Sequence, residues 1–470
     1  MSRVFNKKIL SFAISIIVGL LIWTLPPPEG ITTQAMHMFA IFIFTVIGVI
    51  LRPVPIGTFA FLGLVLTAAT KTLKFEEAFS GFVHPIVWLI VIAFFISRGF
   101  IKTGLGERIA YIIMKHLGKS TLGMGYGMIL TDLILAPAIP SVTARVGGII
   151  YPIVNSLSKA FGSEPYSHPR RLGSFLIKTT FQGSVITSGM FLTSMAGNPL
   201  IADIAKNVGV NITWGTWALA ASVPGLICLA IIPFFLYKVY PPEIKETPNA
   251  KGFAEEKLKE MGKIRSQEWI MIFSFVFLIT LWVLGPYIQM GAVIAALIGL
   301  ALLLLTSVLT WDDVTKEKGA WNTLMWFATL IMMATFLNTL GLTTWFSNWV
   351  QGHVQGFPWF SAFLILVLIY FYSHYFFASI VAHIGSMYSP FLVLCVALGA
   401  PPMVAALTLG FCSNLFGGLT HYGCGPAPIF FGSGYVKITD WWKFGFLISL
   451  INIIIYFTIG SAWWTVLGHF

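Results

Sequence analysis

Ser141-Val142-Thr143-Ala144-Arg145-Val146-Gly147 returns 238 residues later as Ser379-Ile380-Val381-Ala382-His383-Ile384-Gly385. Each copy opens on a serine, carries a basic residue four positions on, and reaches a proline at the same offset, Pro152 and Pro390. Both stretches sit in sequence that otherwise reads as membrane. A polar motif with a positive charge, duplicated in two hydrophobic hairpins, is a means of building one anion site from two halves.

The surrounding composition sets the class. Of 470 residues, 57% are hydrophobic and 10% charged, with a mean hydropathy of +0.86. A soluble fold cannot bury that much apolar surface, so the chain is read as an all-α polytopic membrane protein. A bilayer-spanning helix needs about 20 apolar residues. Eleven transmembrane helices are expected, near 9–25, 35–51, 54–70, 83–101, 175–205, 215–237, 268–286, 288–308, 321–345, 402–436 and 441–466. Two further apolar segments, 121–160 and 357–397, are read as re-entrant hairpins.

Positive charge orients the chain. With the N-terminus in the cytoplasm, 22 of the 28 Lys and Arg residues fall on inner segments, 3 on outer loops and 3 within spans or hairpins. That is the asymmetry the positive-inside rule requires. The expected location is the cell membrane (the inner membrane of a Gram-negative cell), multi-pass, with a retained N-terminal anchor. The net charge of +11 then reports orientation rather than nucleic-acid binding, since no basic stripe with interleaved aromatics stands in a soluble segment. Cys228, Cys395, Cys412 and Cys424 show no metal-ligand spacing and are read as free.

Residues 241–267, rich in Lys and Glu, form one clear connector, read as cytoplasmic and solvated. It separates helices 1–120 and a first hairpin with its broken helix, 121–240, from helices 268–356 and a second hairpin with its broken helix, 357–470. The halves match beyond the opening motif: Trp88 in Ile86-Val87-Trp88-Leu89-Ile90 and Trp326 in Leu324-Met325-Trp326-Phe327-Ala328 are again 238 apart. An odd number of crossings separates the copies, so they lie in opposite orientations. Secondary transporters use such inverted-topology repeats and place substrate where the copies meet.

In the first hairpin Pro137 and Pro140 break the helix and free backbone groups. Such backbone is tolerated at membrane depth only where protein buries it or water lines it. Ser141 fits the N-cap of the returning arm, and Arg145 shares its face. A cation there needs a partner: Asp132 or a helix C-terminus in one reading, an anionic substrate in the other. The second hairpin has Ser373-His374-Tyr375-Phe376-Phe377-Ala378 before Ser379 and no proline. His383 is either a hydrogen-bonded core residue or the functional mate of Arg145.

Two spans are interrupted. Thr187-Ser188-Gly189-Met190-Phe191-Leu192-Thr193-Ser194-Met195-Ala196-Gly197-Asn198-Pro199 is expected not to continue as one helix past Gly197. Ser413-Asn414-Leu415-Phe416-Gly417-Gly418-Leu419-Thr420-His421-Tyr422-Gly423-Cys424-Gly425-Pro426 holds four glycines and a proline. Each break offers half-helix ends, whose amides favour a carboxylate and whose carbonyls favour a cation. Tight helix packing accounts poorly for fourteen consecutive residues with so few large apolar ones.

These motifs resemble the divalent anion transporter family, and within it the 2-oxoglutarate/malate and citrate/succinate translocator branch. The resemblance rests on the run from Ser413 through Gly423, on Gly425-Pro426-Ala427-Pro428-Ile429-Phe430-Phe431-Gly432-Ser433-Gly434-Tyr435, on Ser373 through Ser379, and on Ala136-Pro137-Ala138-Ile139-Pro140-Ser141. It covers essentially the whole chain. It implies a homodimer in the lipid bilayer, held by scaffold helices, whose transport part of two hairpins and two broken helices moves as an elevator. It also implies substrate contacts from Ser141, Thr143, Ser188, Asn198, Ser379, Ser413, Asn414, Thr420 and Pro426. Sodium-coupled members resemble one another in using tip asparagines to hold Na⁺. Here valine stands in that place in Ser141-Val142-Thr143, and Ser379-Ile380-Val381 keeps only the serine.

In the exchanger branch that the chain resembles, Arg145 and His383 would serve as fixed cations replacing Na⁺. An empty carrier with built-in positive charge crosses low dielectric slowly, whereas a bound dianion neutralises it. The expected function is secondary active transport: sodium-independent antiport of C4 and C5 dicarboxylates such as 2-oxoglutarate, malate and succinate, without a cofactor. A Na⁺-coupled dicarboxylate symporter is the alternative, and an anion channel a remote one. No enzyme is expected, because the polar residues offer no paired carboxylates, no nucleophile with its base and no metal-ligand spacing.

Overall fold

The apolar runs become helices because a bilayer leaves backbone groups no partner but their own chain. The computed structural model describes residues 2–353 and 358–469. The expected start of the second hairpin at Phe357, and the boundary between 356 and 357, lie outside the described residues. Among the described residues the fold is all-helical, with one isolated bridge between Ser120 and Glu246. Eight helices among them are long and apolar enough to cross a membrane. Shorter apolar helices, among them Ile56–Ala69 and Ala292–Leu305, complete the multi-pass body.

The repeat is visible in element lengths. Thr33–Leu51 and Ile56–Ala69 have 19 and 14 residues, as have Ser266–Leu284 and Ala292–Leu305. Pro85–Thr103 leads into the amphipathic Leu105–Leu117, and Lys318–Thr339 leads likewise into Leu342–His353. The halves pack closely where small residues allow it. A Cβ on Gly81 would lie 1.9 Å from the Ala328 carbonyl oxygen, so glycine is what lets these backbones touch.

The connector is docked rather than fully solvated. Its helix Asn249–Met261 buries Ala250 and Ala254 against Leu105–Leu117, and Lys115 pairs with Glu255 at 3.2 Å. Arg108 inserts beside it, ion-paired with buried Glu268 and donating to the Gly262 carbonyl at 3.0 Å.

Each hairpin departs from an apolar arm and returns through a widened helical turn. The first runs up Thr121–Leu135, turns at 136–141, and returns through π-helical Thr143–Ile150 into Tyr151–Ala160. The second runs along Trp359–Tyr372, tightens at Ser373–Phe376, and returns from Ile380–His383 through π-helical Ile384–Tyr388 into Ser389–Ala397. Wide turns of this kind concentrate at functional sites. Both arms of the second hairpin are long enough to cross a membrane, and its tip meets that of the first hairpin in one cavity.

Both broken helices are present. One is Gly173–Met190 followed by Gly197–Ala205; the other is Pro402–Leu415, a tight turn at Phe416–Gly418, and then Ala427–Gly432. The first interruption differs from expectation: it occupies 191–196, and the helix resumes at Gly197 instead of failing there. Pro199 falls in the first turn of the new helix, where its missing N–H has no intrahelical partner to lose.

Candidate functional site: a cavity between two hairpin tips and two helix breaks

The two hairpin tips and the two breaks enclose a cavity of about 410 Å³, within the size range of small-molecule sites. Ser141 and Ser379 stand in it as N-caps of the returning arms. The Ser141 hydroxyl accepts from the Ala144 N–H at 3.2 Å, and the Ser379 hydroxyl accepts from the Ala382 N–H at 3.3 Å. The first amides of a helix have no partner within it, so Val142, Thr143, Ile380 and Val381, which also line the cavity, bring helix N-termini to it from two sides. Two such ends suit a molecule with an anionic group at each of its own ends.

Six of the expected substrate-contacting residues line this space: Ser141, Thr143, Ser188, Ser379, Asn414 and Pro426. Asn198, Ser413 and Thr420 do not; they are buried around it. Asn198 donates to the carbonyls of Ser188 and Phe191 at 2.8 and 3.0 Å, and its own oxygen accepts from Asn414 Nδ2 at 2.8 Å. It therefore ties one break to the other. Ser413 shares a hydrogen bond of 2.7 Å with the Tyr370 hydroxyl. The Thr420 hydroxyl and Asn414 Oδ1 are buried without a hydrogen-bond partner among the described residues.

Arg145 and His383 also stand outside the lining. The Arg145 guanidinium is fully buried, paired through Nε with Asp132 at 2.7 Å. Its Nη1 donates to the Ile139 carbonyl of the hairpin tip at 2.6 Å and to the Ser194 carbonyl of the first break at 2.8 Å, while Nη2 has no partner among the described residues. Thr187 hydrogen-bonds the other Asp132 oxygen. Of the two readings left open for Arg145, the geometry realises the pairing with Asp132, so its charge is balanced at once rather than standing free. His383 lies between the rings of Phe377 and Phe416, 4.3 and 4.5 Å away, with Nδ1 against His374 Nδ1 at 3.0 Å and Nε2 against the Ser373 hydroxyl at 3.2 Å.

The repeat extends into these frames. Asp132 and Arg145 correspond, at the 238-residue offset, to Tyr370 and His383. In each half the first member also hydrogen-bonds a hydroxyl of the nearby broken helix, Thr187 or Ser413. One half stiffens its tip with an ion pair, the other with an aromatic and imidazole stack.

Sequence reasoning missed the far wall. Arg52, Phe94, Thr323 and Trp326 close the cavity from helices outside the hairpins and breaks, and Ser184 and Tyr422 add hydroxyls. Trp326 carried a signal as the repeat mate of Trp88; Arg52 carried none. No carboxylate lines the cavity among the described residues, and Arg52 is the one charged side chain in that lining. The wall is thus hydroxyls, amides, one cation and apolar rings: a lining for an anion.

Comparison with known proteins agrees with this architecture. The putative malate transporter YflS of Bacillus subtilis is 56% identical over 98% of this chain and 97% of its own length. Dicarboxylate transporter 1 of Spinacia oleracea chloroplasts is 51% identical over 97% of this chain and 80% of its own. Among solved structures, the YdaH transporter of Alcanivorax borkumensis aligns over 98% of both chains with a TM-score of 0.57 at 11% identity, a likeness of fold alone. The family model described as the sodium:sulfate symporter transmembrane region matches residues 6–470, and the chain belongs to that family of divalent anion transporters.

Proposed function

We propose that this protein exchanges C4 and C5 dicarboxylates across the membrane without sodium. The observation that carries the reading is the pair of serine-capped helix N-termini, Ser141 and Ser379, facing one cavity whose lining has no acid among the described residues. Each carboxylate of a dianion would take one serine hydroxyl and the adjacent free amides. The high identity to proteins named as malate and dicarboxylate transporters supports the substrate class.

Independence from sodium rests on different ground from a free fixed charge, because Asp132 neutralises Arg145. What supports it is where the guanidinium sits. Its N–H groups occupy the Ile139 and Ser194 carbonyls, the freed backbone oxygens of tip and break that a cation would otherwise seek. Slow return of the empty carrier would follow from exposed amides and unpartnered polar atoms in an unfilled cavity, which are costly in low dielectric. The Asn414 Oδ1 and Thr420 Oγ1 acceptors at the second break favour the second reading, a Na⁺-coupled symporter.

The carrier is further proposed to be a homodimer in the cell membrane, its N-terminus cytoplasmic, with hairpins and broken helices moving against the other helices. Purified protein in liposomes decides the coupling. Labelled malate should enter only vesicles preloaded with malate or 2-oxoglutarate, at the same rate in sodium and in choline buffer. Uptake into empty vesicles driven by a sodium gradient would replace the exchange reading with the symport one.

A further inference from the structure

Arg52 follows Thr33–Leu51 and belongs to neither hairpin nor either broken helix. It is the one charged residue among the described lining of the cavity, and its guanidinium makes no hydrogen bond or ion pair with any described residue. Arg145 is spent on Asp132 and two carbonyls; Arg52 is uncommitted. Arg52 is exposed on the protein surface as well as lining the cavity, and an arginine stays charged at any physiological pH.

The backbone at this position is unusual. Arg52 has φ 49° and ψ 53°, the left-handed region, disfavoured for a residue with a Cβ and natural for glycine. Pro53 follows it. A glycine would close the helix more comfortably, so the arginine side chain is kept against a local conformational preference.

The matching turn of the second half lacks an arginine. Leu51-Arg52-Pro53 ends the first 19-residue helix, and Leu284-Gly285-Pro286 ends the matching 19-residue helix of the second half. The whole turn from Gly285 to Gly291 contains no charged residue. In the proposed topology the halves have opposed orientation, which would put these two turns at opposite faces of the membrane, with an arginine at one and no charged residue at the other.

Building on the dicarboxylate reading above, we propose that Arg52 is a substrate-binding residue that makes the carrier sided, holding a carboxylate more tightly when the cavity faces the Arg52 end than when it faces the opposite end. A partly solvated cation near a carboxylate is worth about a tenfold change in affinity. The equilibrium of exchange is untouched. The added contact instead shifts the loaded carrier toward the Arg52 face, as linkage requires.

The test is malate counterflow in vesicles of defined protein orientation, with KM measured at each face. Wild type should show the lower KM at the Arg52 face. Arg52→Gln should raise that KM about tenfold and leave the opposite KM within twofold, while Arg52→Lys recovers part of the loss. Arg52→Gly should match Arg52→Gln in KM yet melt higher than it, separating the lost charge from a damaged fold. Equal KM changes at both faces, or none at either, would overturn the assignment while leaving the dicarboxylate reading intact. Wild-type vesicles that carry no malate from either face would overturn that reading and this one with it.

Discussion

Arg145→Met is expected to cost more stability than any other single exchange around the cavity. It strands Asp132, whose side chain is 1% exposed, and strips a donor from the carbonyls of Ile139 and Ser194. Breaking a buried ion pair by removing one partner costs about 3–5 kcal/mol, a large part of the margin of an ordinary domain. Methionine keeps most of the side-chain length, so cavity formation is a minor part of the loss. Thermal unfolding in detergent, followed by the monodispersity of the heated sample, measures the effect. Removing both charges together, as Arg145→Met with Asp132→Leu, should restore most of the stability, since an apolar pair of similar volume often replaces a buried ion pair without loss. Transport should stay at least tenfold down, because nothing then holds the hairpin tip to the first break. A single variant as stable as wild type would show that the pair does not brace the tip.

Asp132 and Arg145 were both legible as intramembrane charges needing partners, and a proline-broken tip lies between them. Their pairing depends on which sides of two antiparallel arms they occupy, and the irregular turn at 136–141 removes the helical phase that would give it. The Ser141 cap was legible because it directly follows a proline-marked break, whereas the Ser379 cap, with no proline before it, had only the repeat of Ser141 to point to it. The break after Met190 was placed too late because Gly197, Asn198 and Pro199 read as helix enders, whereas together they begin a helix. Arg52 was hidden for a plainer reason: it reaches the cavity from a helix far from Ser141 in sequence, and no local pattern encodes that approach. The docking of the connector had a signal of its own: Ala250, Phe253, Ala254, Leu258 and Met261 recur at helical spacing and pack against the core, a stripe masked by the Lys and Glu around it.

Gly445→Ala should nearly abolish transport although residue 445 touches no substrate. It lies in Ile438–Ile455, where that helix crosses the second break. A Cβ there would stand 2.5 Å from the Leu419 carbonyl oxygen and 2.7 Å from that of Gly418. Both obstacles are backbone, so no side chain can swing aside. Gly418 is held from the other side as well, its carbonyl accepting from Gln182 Nε2 at 2.9 Å. One of the two backbones must shift, and a shift of the break would carry Cys424, Gly425 and Pro426, which line the cavity. Overpacking of this kind costs about 1–3 kcal/mol, which a stable protein survives. A displacement approaching 1 Å at a positioned site can cost about a hundredfold in rate, so the folded variant should bind and exchange malate far more weakly. Gly252→Ala is the matched control: it lies in the connector helix with nothing within 4 Å of the new Cβ. It should gain about 0.5–1 kcal/mol of helix stability with transport unchanged. Exchange rates for Gly445→Ala equal to those of Gly252→Ala would mean that the second break gives way freely, and that the cavity is not held to fixed dimensions from that side.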